Sequence, residues 1–97
     1  MRIGIVGVCG SGKTSLAWRL RQAGYEAAEI AQEHSYVPAM WQRLAKPDVL
    51  IFLDVAYPLS VKRRNLNWTV DEYNEQQRRL LHARQHADLV LDTDHLT

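Results

Sequence analysis

The stretch MRIGIVGVCGSGKTSLAWRLRQA, residues 1–23, decides the fold that the sequence predicts. Its beginning, MRIGIVGV, is apolar and rich in β-branched side chains, which is typical of a strand buried on both faces of a parallel sheet. Glycines follow, and residues 14–23 then carry apolar side chains at helical spacing, with Gly24 as the expected C-terminal cap. The stretch therefore predicts a strand, a glycine loop and a helix, which is the beginning of a βαβ unit.

The remaining chain continues this alternation. Three further strands are predicted, over residues 25–32, 49–55 and 88–93. Three further helices are predicted, over residues 39–45, over residues 58–65, and from Thr69 or Asp71 to about His86. Strands separated by helices predict a four-stranded parallel sheet with helices on both faces, which is a three-layer α/β/α sandwich. We expect Trp18 and Trp41 to pack helices onto this sheet.

Length and composition predict one domain over residues 1–97. The net charge of +1 provides no global basic field, so we expect neither nucleic acid nor a membrane as a partner. The single cysteine, Cys9, excludes an internal disulfide framework and a Cys-based metal cluster, and it favours a cytoplasmic location. The first apolar run is interrupted by Gly4 and Gly7 and then meets Lys13, so it predicts neither a signal peptide nor a membrane span.

The glycine loop contains a motif with a chemical meaning. Gly7, four further residues, and then Gly12, Lys13 and Thr14 match the pattern G-x-x-x-x-G-K-[ST], the phosphate-binding P-loop. Glycines let successive backbone N–H groups point into one concavity, and the following helix adds its positive N-terminal end. Lys13 is predicted to reach the β- and γ-phosphates of a nucleotide, and the Thr14 hydroxyl to ligate Mg²⁺. The predicted nucleotide-binding residues are Cys9, Gly10, Ser11, Gly12, Lys13, Thr14 and Ser15.

A P-loop also needs an acidic side chain on a neighbouring strand, which orients the magnesium ion directly or through water. Ligands lie at the carboxyl ends of the strands in sheets of this kind, and three acids stand at such positions. Asp54 ends the most hydrophobic strand in VLIFLDV, Glu33 follows the weakest strand in QEHS, and Asp92 closes the last strand in LVLDT. Composition does not choose among these three acids. The predicted metal ligands are Thr14, Glu33 and Asp54.

The P-loop, the VLIFLDV strand with the basic segment VKRRN after it, and the late stretch ADLVLDTDHLT together resemble the P-loop nucleoside and nucleotide kinases of the P-loop NTPase superfamily. The resemblance covers most of the chain loosely, and only the P-loop is a specific motif. It implies a sheet order of 2-1-3-4, and it implies that Glu33 is the metal-associated acid or the base. It also implies that Arg63 and Arg64 neutralise the γ-phosphate, which makes Lys13, Glu33, Arg63 and Arg64 the predicted catalytic residues.

Two functions from different classes agree with these features. The first is an enzyme that uses Mg²⁺ and ATP and transfers the γ-phosphoryl group to water or to a small acceptor. ATP is preferred to GTP because the sequence has no guanine-reading N-K-x-D motif. The second is a nucleotide-binding module without turnover, since only Gly24 stands where these kinases carry a nucleotide-acceptor segment. A small sheet with an unfilled side also leads to the hypothesis of a homodimer.

Overall fold

The computed structural model describes residues 1–8, 11–55 and 69–92. The strands in this part of the chain are β1 (Arg2–Gly7), β2 (Glu26–Glu29), β3 (Val49–Asp54) and β4 (Leu89–Asp92). They form one sheet in the order β2-β1-β3-β4, and each neighbouring pair is parallel. The predicted four-stranded parallel sheet is therefore confirmed, and so is the strand order that the resemblance implies.

Helices connect these strands. The α-helices in the described residues are α1 (Lys13–Gln22), α2 (Met40–Ala45), α3 (Val70–Arg79) and α4 (Leu81–His86). The strand predicted over residues 25–32 ends at Glu29, and a single 3₁₀ turn, Gln32–His34, replaces its last part. The helix predicted over residues 58–65 lies outside the described residues.

The long helix predicted near the end of the chain is present but is divided at Leu80. The Thr69 hydroxyl accepts a hydrogen bond from the Glu72 N–H at 3.2 Å, and the Glu72 side chain reaches back to the Thr69 N–H, which forms a capping box. Helices α3 and α4 meet at Leu80, whose φ of −91° and ψ of −5° depart from regular α-helical values. Leu80 and Ala83 are both fully buried in one core cluster, so tertiary packing accompanies this break.

Apolar side chains cover both faces of the sheet, as the alternation along β3 illustrates. Leu50 and Phe52 belong to a buried cluster on the face that α2, α3 and α4 cover. Ile51 and Leu53 belong to a second cluster on the opposite face, where they pack with Ala17 of α1. Successive side chains of a strand point to opposite faces, so a continuous apolar run is needed where helices lie on both sides.

Trp18 is an exception to the predicted packing. Its side chain is 61% exposed, so the expectation that it packs α1 onto the sheet is wrong. Helix α1 instead packs through Leu16, Ala17 and Leu20, which form one apolar stripe, and Trp18 falls on the outer side of that stripe. Trp41 of α2 is buried in the core, as predicted.

Two aspartates fix where the parallel strands begin relative to one another. The Asp48 N–H donates to the Arg2 carbonyl oxygen at 2.8 Å, and the Asp48 carboxylate accepts from the Arg2 N–H at 2.7 Å. Asp88 repeats this arrangement on Leu50, with distances of 2.9 and 2.8 Å. The two residues stand in similar stretches, PDVL and ADLV, directly before β3 and β4. The carboxyl ends of the strands therefore meet at one edge of the sheet, where β1 leads into the glycine loop.

The described helices are short. The longest, α1 and α3, have ten residues each, whereas a helix needs about 20 apolar residues to cross a bilayer. Within residues 1–8, 11–55 and 69–92, no helix has both the length and the apolar character of a membrane span.

Candidate phosphate-binding site

The glycine loop joins the carboxyl end of β1 to the amino end of α1. The Ser11 N–H donates to the Val8 carbonyl oxygen at 3.1 Å, which turns the chain back directly after the strand. Gly12 then precedes the helix with a φ of 99°, in the left-handed region that residues with a side chain rarely adopt. The second glycine of the motif is therefore required by the backbone conformation. Cys9 and Gly10, which are predicted to bind the nucleotide, lie outside the described residues.

The first glycine of the motif is required by space. A Cβ atom on Gly7 would lie 2.6 Å from the Ser11 hydroxyl oxygen and 2.9 Å from the Leu53 carbonyl oxygen, so only glycine lets the loop fold this closely against β3. Ser11 is 1% exposed, and among the described residues its hydroxyl has no hydrogen-bond partner. Buried polar groups are normally paired, and a phosphate oxygen is an acceptor that would satisfy this hydroxyl.

The amino end of α1 is open to an anion. The first N–H groups of a helix have no acceptor within the helix, and they form the positive end of its dipole. Among the described residues no side chain caps these groups, and the first turn of α1 contains no acidic residue. Lys13, Thr14 and Ser15 form this turn, so the motif residues lie where the sequence predicts them. An anion at this position would accept hydrogen bonds from the backbone.

The Lys13 side chain folds back over the loop. Its Nζ donates to the Gly7 carbonyl oxygen at 2.8 Å and forms an ion pair with Oε2 of Glu33. Glu33 is 3% exposed, and the Lys13 side chain is also largely buried. A buried charge is costly unless it is paired, so each of these two charges depends on the other. The fold thus brings together two of the predicted catalytic residues.

Only one carboxylate oxygen of Glu33 takes part in this ion pair. Oε1 is buried, and among the described residues it accepts no hydrogen bond. His34 follows in the chain, and its Nε2 lies 3.9 Å from the paired oxygen, while its ring is mostly exposed. The site therefore contains a buried acceptor that a water molecule or a hydroxyl group would satisfy.

A buried amide holds the 3₁₀ turn that carries Glu33. Gln32 is 1% exposed, and its Nε2 donates to the carbonyl oxygens of Val37, at 2.9 Å, and Arg79, at 3.3 Å. Its Oε1 accepts from the Trp41 N–H at 2.8 Å. One side chain thus ties the turn to the start of α2 and to the end of α3, and this fixes the backbone beside Glu33.

Arg79 holds the same turn from the end of α3. Its guanidinium donates to the Glu33 carbonyl oxygen at 3.3 Å and to the Glu75 carboxylate at 3.1 Å. It also lies over the Tyr36 ring, 4.2 Å from the centroid, where the ring attracts the cation. Sequence reasoning missed the roles of Gln32 and Arg79, because the contacts between the turn and α3 join residues far apart in the chain.

A second acid contacts the first turn of α1. The Thr14 hydroxyl donates to Oε1 of Glu29, the last residue of β2, at 2.7 Å. Sequence reasoning did not single out Glu29, because the predicted strand continued beyond it to residue 32. Its place at the end of a short strand, level with Ile5 of β1, is set by the strand register, which the sequence pattern does not show.

Asp54, the other predicted metal ligand, has a different environment. It ends β3, which pairs directly with β1, and it lies beside Asp92 in the register between β3 and β4. Its carboxylate lies 3.4 Å from Nη1 of Arg84 in α4, and the same guanidinium lies over the Phe52 ring. Arg63 and Arg64, the predicted γ-phosphate ligands, lie outside the described residues.

A hydroxyl oxygen of Thr14 and a carboxylate oxygen of Glu29 lie at the start of α1, and Mg²⁺ prefers oxygen ligands of these kinds. In the part of the chain that the structure describes, no three His, Cys, Asp or Glu side chains are grouped so as to hold a metal ion.

No protein-family model matches the sequence, and no curated protein matches it. What this site binds must therefore be inferred from the sequence motif and from its contacts.

Proposed function

We propose that the chain binds a purine nucleoside triphosphate together with Mg²⁺, and ATP in preference to GTP, at the start of α1. One observation carries the proposal: the P-loop sequence lies between β1 and α1, and its lysine is turned back over the loop onto the Gly7 carbonyl oxygen. An open helix N-terminus beside a lysine is suited to a polyphosphate. A chance match to the motif would give no reason for this arrangement.

Nucleotide binding requires Lys13 to exchange one of its partners. Its amine is held by the Gly7 carbonyl oxygen and by the Glu33 carboxylate. A β- or γ-phosphate oxygen would replace the carboxylate, so the lysine charge remains paired before and after binding. Glu33 is thus the counter-ion that the phosphate displaces.

Mg²⁺ would be held by the Thr14 hydroxyl and the phosphates, with Glu33 or Asp54 as the acid that orients it. The ion, when bound, neutralises charge on the phosphates during phosphoryl transfer. We favour Glu33 over Asp54, because Glu33 contacts Lys13 whereas Asp54 pairs with Arg84.

As an enzyme, the protein would transfer the γ-phosphoryl group to water or to a small acceptor. Oε1 of Glu33 is buried, has no donor within residues 1–8, 11–55 and 69–92, and is available to the attacking group as a hydrogen-bond acceptor. Arg63 and Arg64 are the proposed arginines for the γ-phosphate. Catalysis would rest on positioning and charge neutralisation, without a covalent intermediate.

The connection between α1 and β2 favours a second candidate function, a nucleotide-binding module without turnover. The Gly24 N–H donates to the Arg21 carbonyl oxygen and the Tyr25 N–H to the Leu20 carbonyl oxygen, each at 3.0 Å. Helix α1 therefore turns tightly into β2, and this connection holds no segment for a phosphoryl acceptor. A partner would then supply the acceptor half.

Calorimetric titration with ATP and Mg²⁺ tests the binding. We expect micromolar affinity for the wild type and an affinity about 10- to 100-fold weaker for Lys13→Ala, because a charge-assisted contact is lost. Lys46→Ala is the matched control, since it removes an exposed lysine at the end of α2. A folded wild type that does not bind ATP, or a Lys13→Ala variant that binds as tightly as the control, contradicts the proposal.

Single-turnover hydrolysis distinguishes the two candidate functions. Slow release of phosphate that is lost in Glu33→Ala, while ATP still binds, supports the enzyme. ATP binding without any turnover in the wild type supports the module.

A further inference from the structure

Glu29 has no role in the proposed nucleotide binding or phosphoryl transfer. It accepts the hydrogen bond from the Thr14 hydroxyl at 2.7 Å. An ionised carboxylate only accepts hydrogen bonds, so the hydroxyl proton must point towards Glu29. The lone pairs of the Thr14 oxygen then point away from Glu29, in directions from which a cation can bind them.

Rigid elements bring these two residues together. Glu29 is level with Ile5 of β1, and it shares its face of the sheet with Ala27. Ala27 belongs to the buried cluster that also contains Ala17 of α1, and Thr14 lies in the first turn of the same helix. The contact therefore joins a strand and a helix whose relative position the core determines.

The other two acids proposed near the loop contact different side chains. Glu33 pairs with Lys13, and Asp54 pairs with Arg84. Glu29 is thus the acid that contacts the residue which the P-loop motif assigns to the metal.

We propose that Glu29 is the positioning residue for the magnesium ion that accompanies the nucleotide. It accepts the proton of Thr14 and so directs the oxygen lone pairs of Thr14 to the ion. Partners that orient a metal ligand in this way typically contribute 10- to 100-fold to metal affinity. The inference rests on the proposed function, because the ion binds together with the nucleotide.

A purely structural role makes a different prediction. Glu29 lies near the positive end of α1, where a carboxylate stabilises a helix. If this were its whole role, Glu29→Gln would lower the melting temperature and leave the effect of Mg²⁺ on ATP binding unchanged.

The experiment measures the dissociation constant of ATP in EDTA and in excess Mg²⁺, and the ratio of the two is the magnesium factor. Glu29→Gln should weaken ATP binding in excess Mg²⁺ and so reduce the magnesium factor by about tenfold, or to one where the wild-type factor is below ten, whereas in EDTA the loss of a negative charge should not weaken binding. Glu26→Gln is the matched control, because Glu26 is an exposed glutamate at the other end of β2 that pairs with Arg2. It should keep the magnesium factor of the wild type.

A double-mutant cycle shows whether Glu29 acts through Thr14. Thr14→Val should lose the magnesium factor, and adding Glu29→Gln to it should cause no further loss. A magnesium factor in Glu29→Gln that equals the wild-type value, or a double variant whose magnesium factor is lower than that of Thr14→Val, overturns the inference while the proposed function stands. A folded wild type without ATP binding overturns both.

Discussion

The acids on the two sides of β1 have different contact partners. On the β2 side, Glu29 contacts Thr14 and Glu33 contacts Lys13, so both acids meet P-loop side chains. On the β3 side, Asp54 pairs with Arg84 of α4. Both strands pair directly with β1, so position in the sheet does not distinguish them. The weaker of the two predicted strands, together with the turn that follows it, therefore carries the acids that contact the first helical turn of α1.

The largest effect is expected from Gln32, which fixes the turn on the β2 side. Gln32→Leu removes the partners of the Val37 and Arg79 carbonyl oxygens and of the Trp41 N–H. The free energy of unfolding, measured in urea, should fall by roughly 1–3 kcal/mol, because groups in this region lose their hydrogen bonds.

The control for this change is Gln42→Leu, at an exposed glutamine of α2, which should alter the unfolding free energy by less than about 0.5 kcal/mol. Equal stability of the two variants would show that the turn does not depend on the Gln32 amide.

The next effect concerns the ion pair between Glu33 and Lys13. Glu33→Gln removes a negative charge that the incoming phosphate must displace. A carboxylate and a phosphate at about 4 Å repel each other by several kcal/mol at an effective dielectric constant of about 20, which is typical near a protein surface. About a third of this repulsion corresponds to a tenfold change in the dissociation constant. The affinity for ADP in EDTA, measured by calorimetry, should therefore increase by about tenfold.

Asp54→Asn makes the same change of charge on the β3 side and should alter this affinity by less than about twofold, because Asp54 is paired with Arg84. The reverse order, with Asp54→Asn as the stronger variant, would place the phosphates on the other side of β1.

A smaller effect is expected when the β3 side is changed at Arg84. Its pair with Asp54 is partly exposed, and exposed ion pairs contribute less than about 1 kcal/mol. Arg84→Ala should lower the unfolding free energy by no more than that and leave ATP affinity unchanged. A loss of ATP affinity would show that the β3 side takes part in binding.

The smallest effect lies on α3, at Glu75. The hydrogen bond from Arg78 holds the pKa of Glu75 below its ordinary value. A carboxyl group whose pKa is lowered by folding stabilises the fold above its ordinary pKa, and this contribution is lost as the pH falls through the lowered value. Arg78→Ala should raise the pKa of Glu75 in an NMR titration without changing ATP affinity. An unchanged pKa of Glu75 would show that Arg78 does not cause the shift.

Local patterns were sufficient for most of the fold. The apolar run 49–55 and the polar residues Thr69 and Asp71 each encode a local structure, and the structure has the corresponding strand and a helix that begins after Thr69. The rule that ligands gather at the carboxyl ends of parallel strands predicted Glu33, Asp54 and Asp92 equally as candidate acids, and the structure places Glu33 against Lys13.

Long-range contacts explain what the patterns missed. The contact between Glu29 and Thr14 depends on the strand register, and the buried amide of Gln32 joins three segments. Trp18 is exposed because neighbouring residues fill the apolar stripe of α1. Burial of Leu80 accompanies a helix break that no local residue preference indicates.

The most direct test of nucleotide binding at the start of α1 is an NMR titration, in which ATP and Mg²⁺ are added to the isotope-labelled protein and the backbone amide signals are followed. The amide signals of Lys13, Thr14 and Ser15 should shift most, because these N–H groups at the start of α1 would donate hydrogen bonds to the phosphate oxygens. Signals that do not move, or that move mainly around Asp54 and Arg84, would contradict the claim that the start of α1 is the nucleotide-binding site.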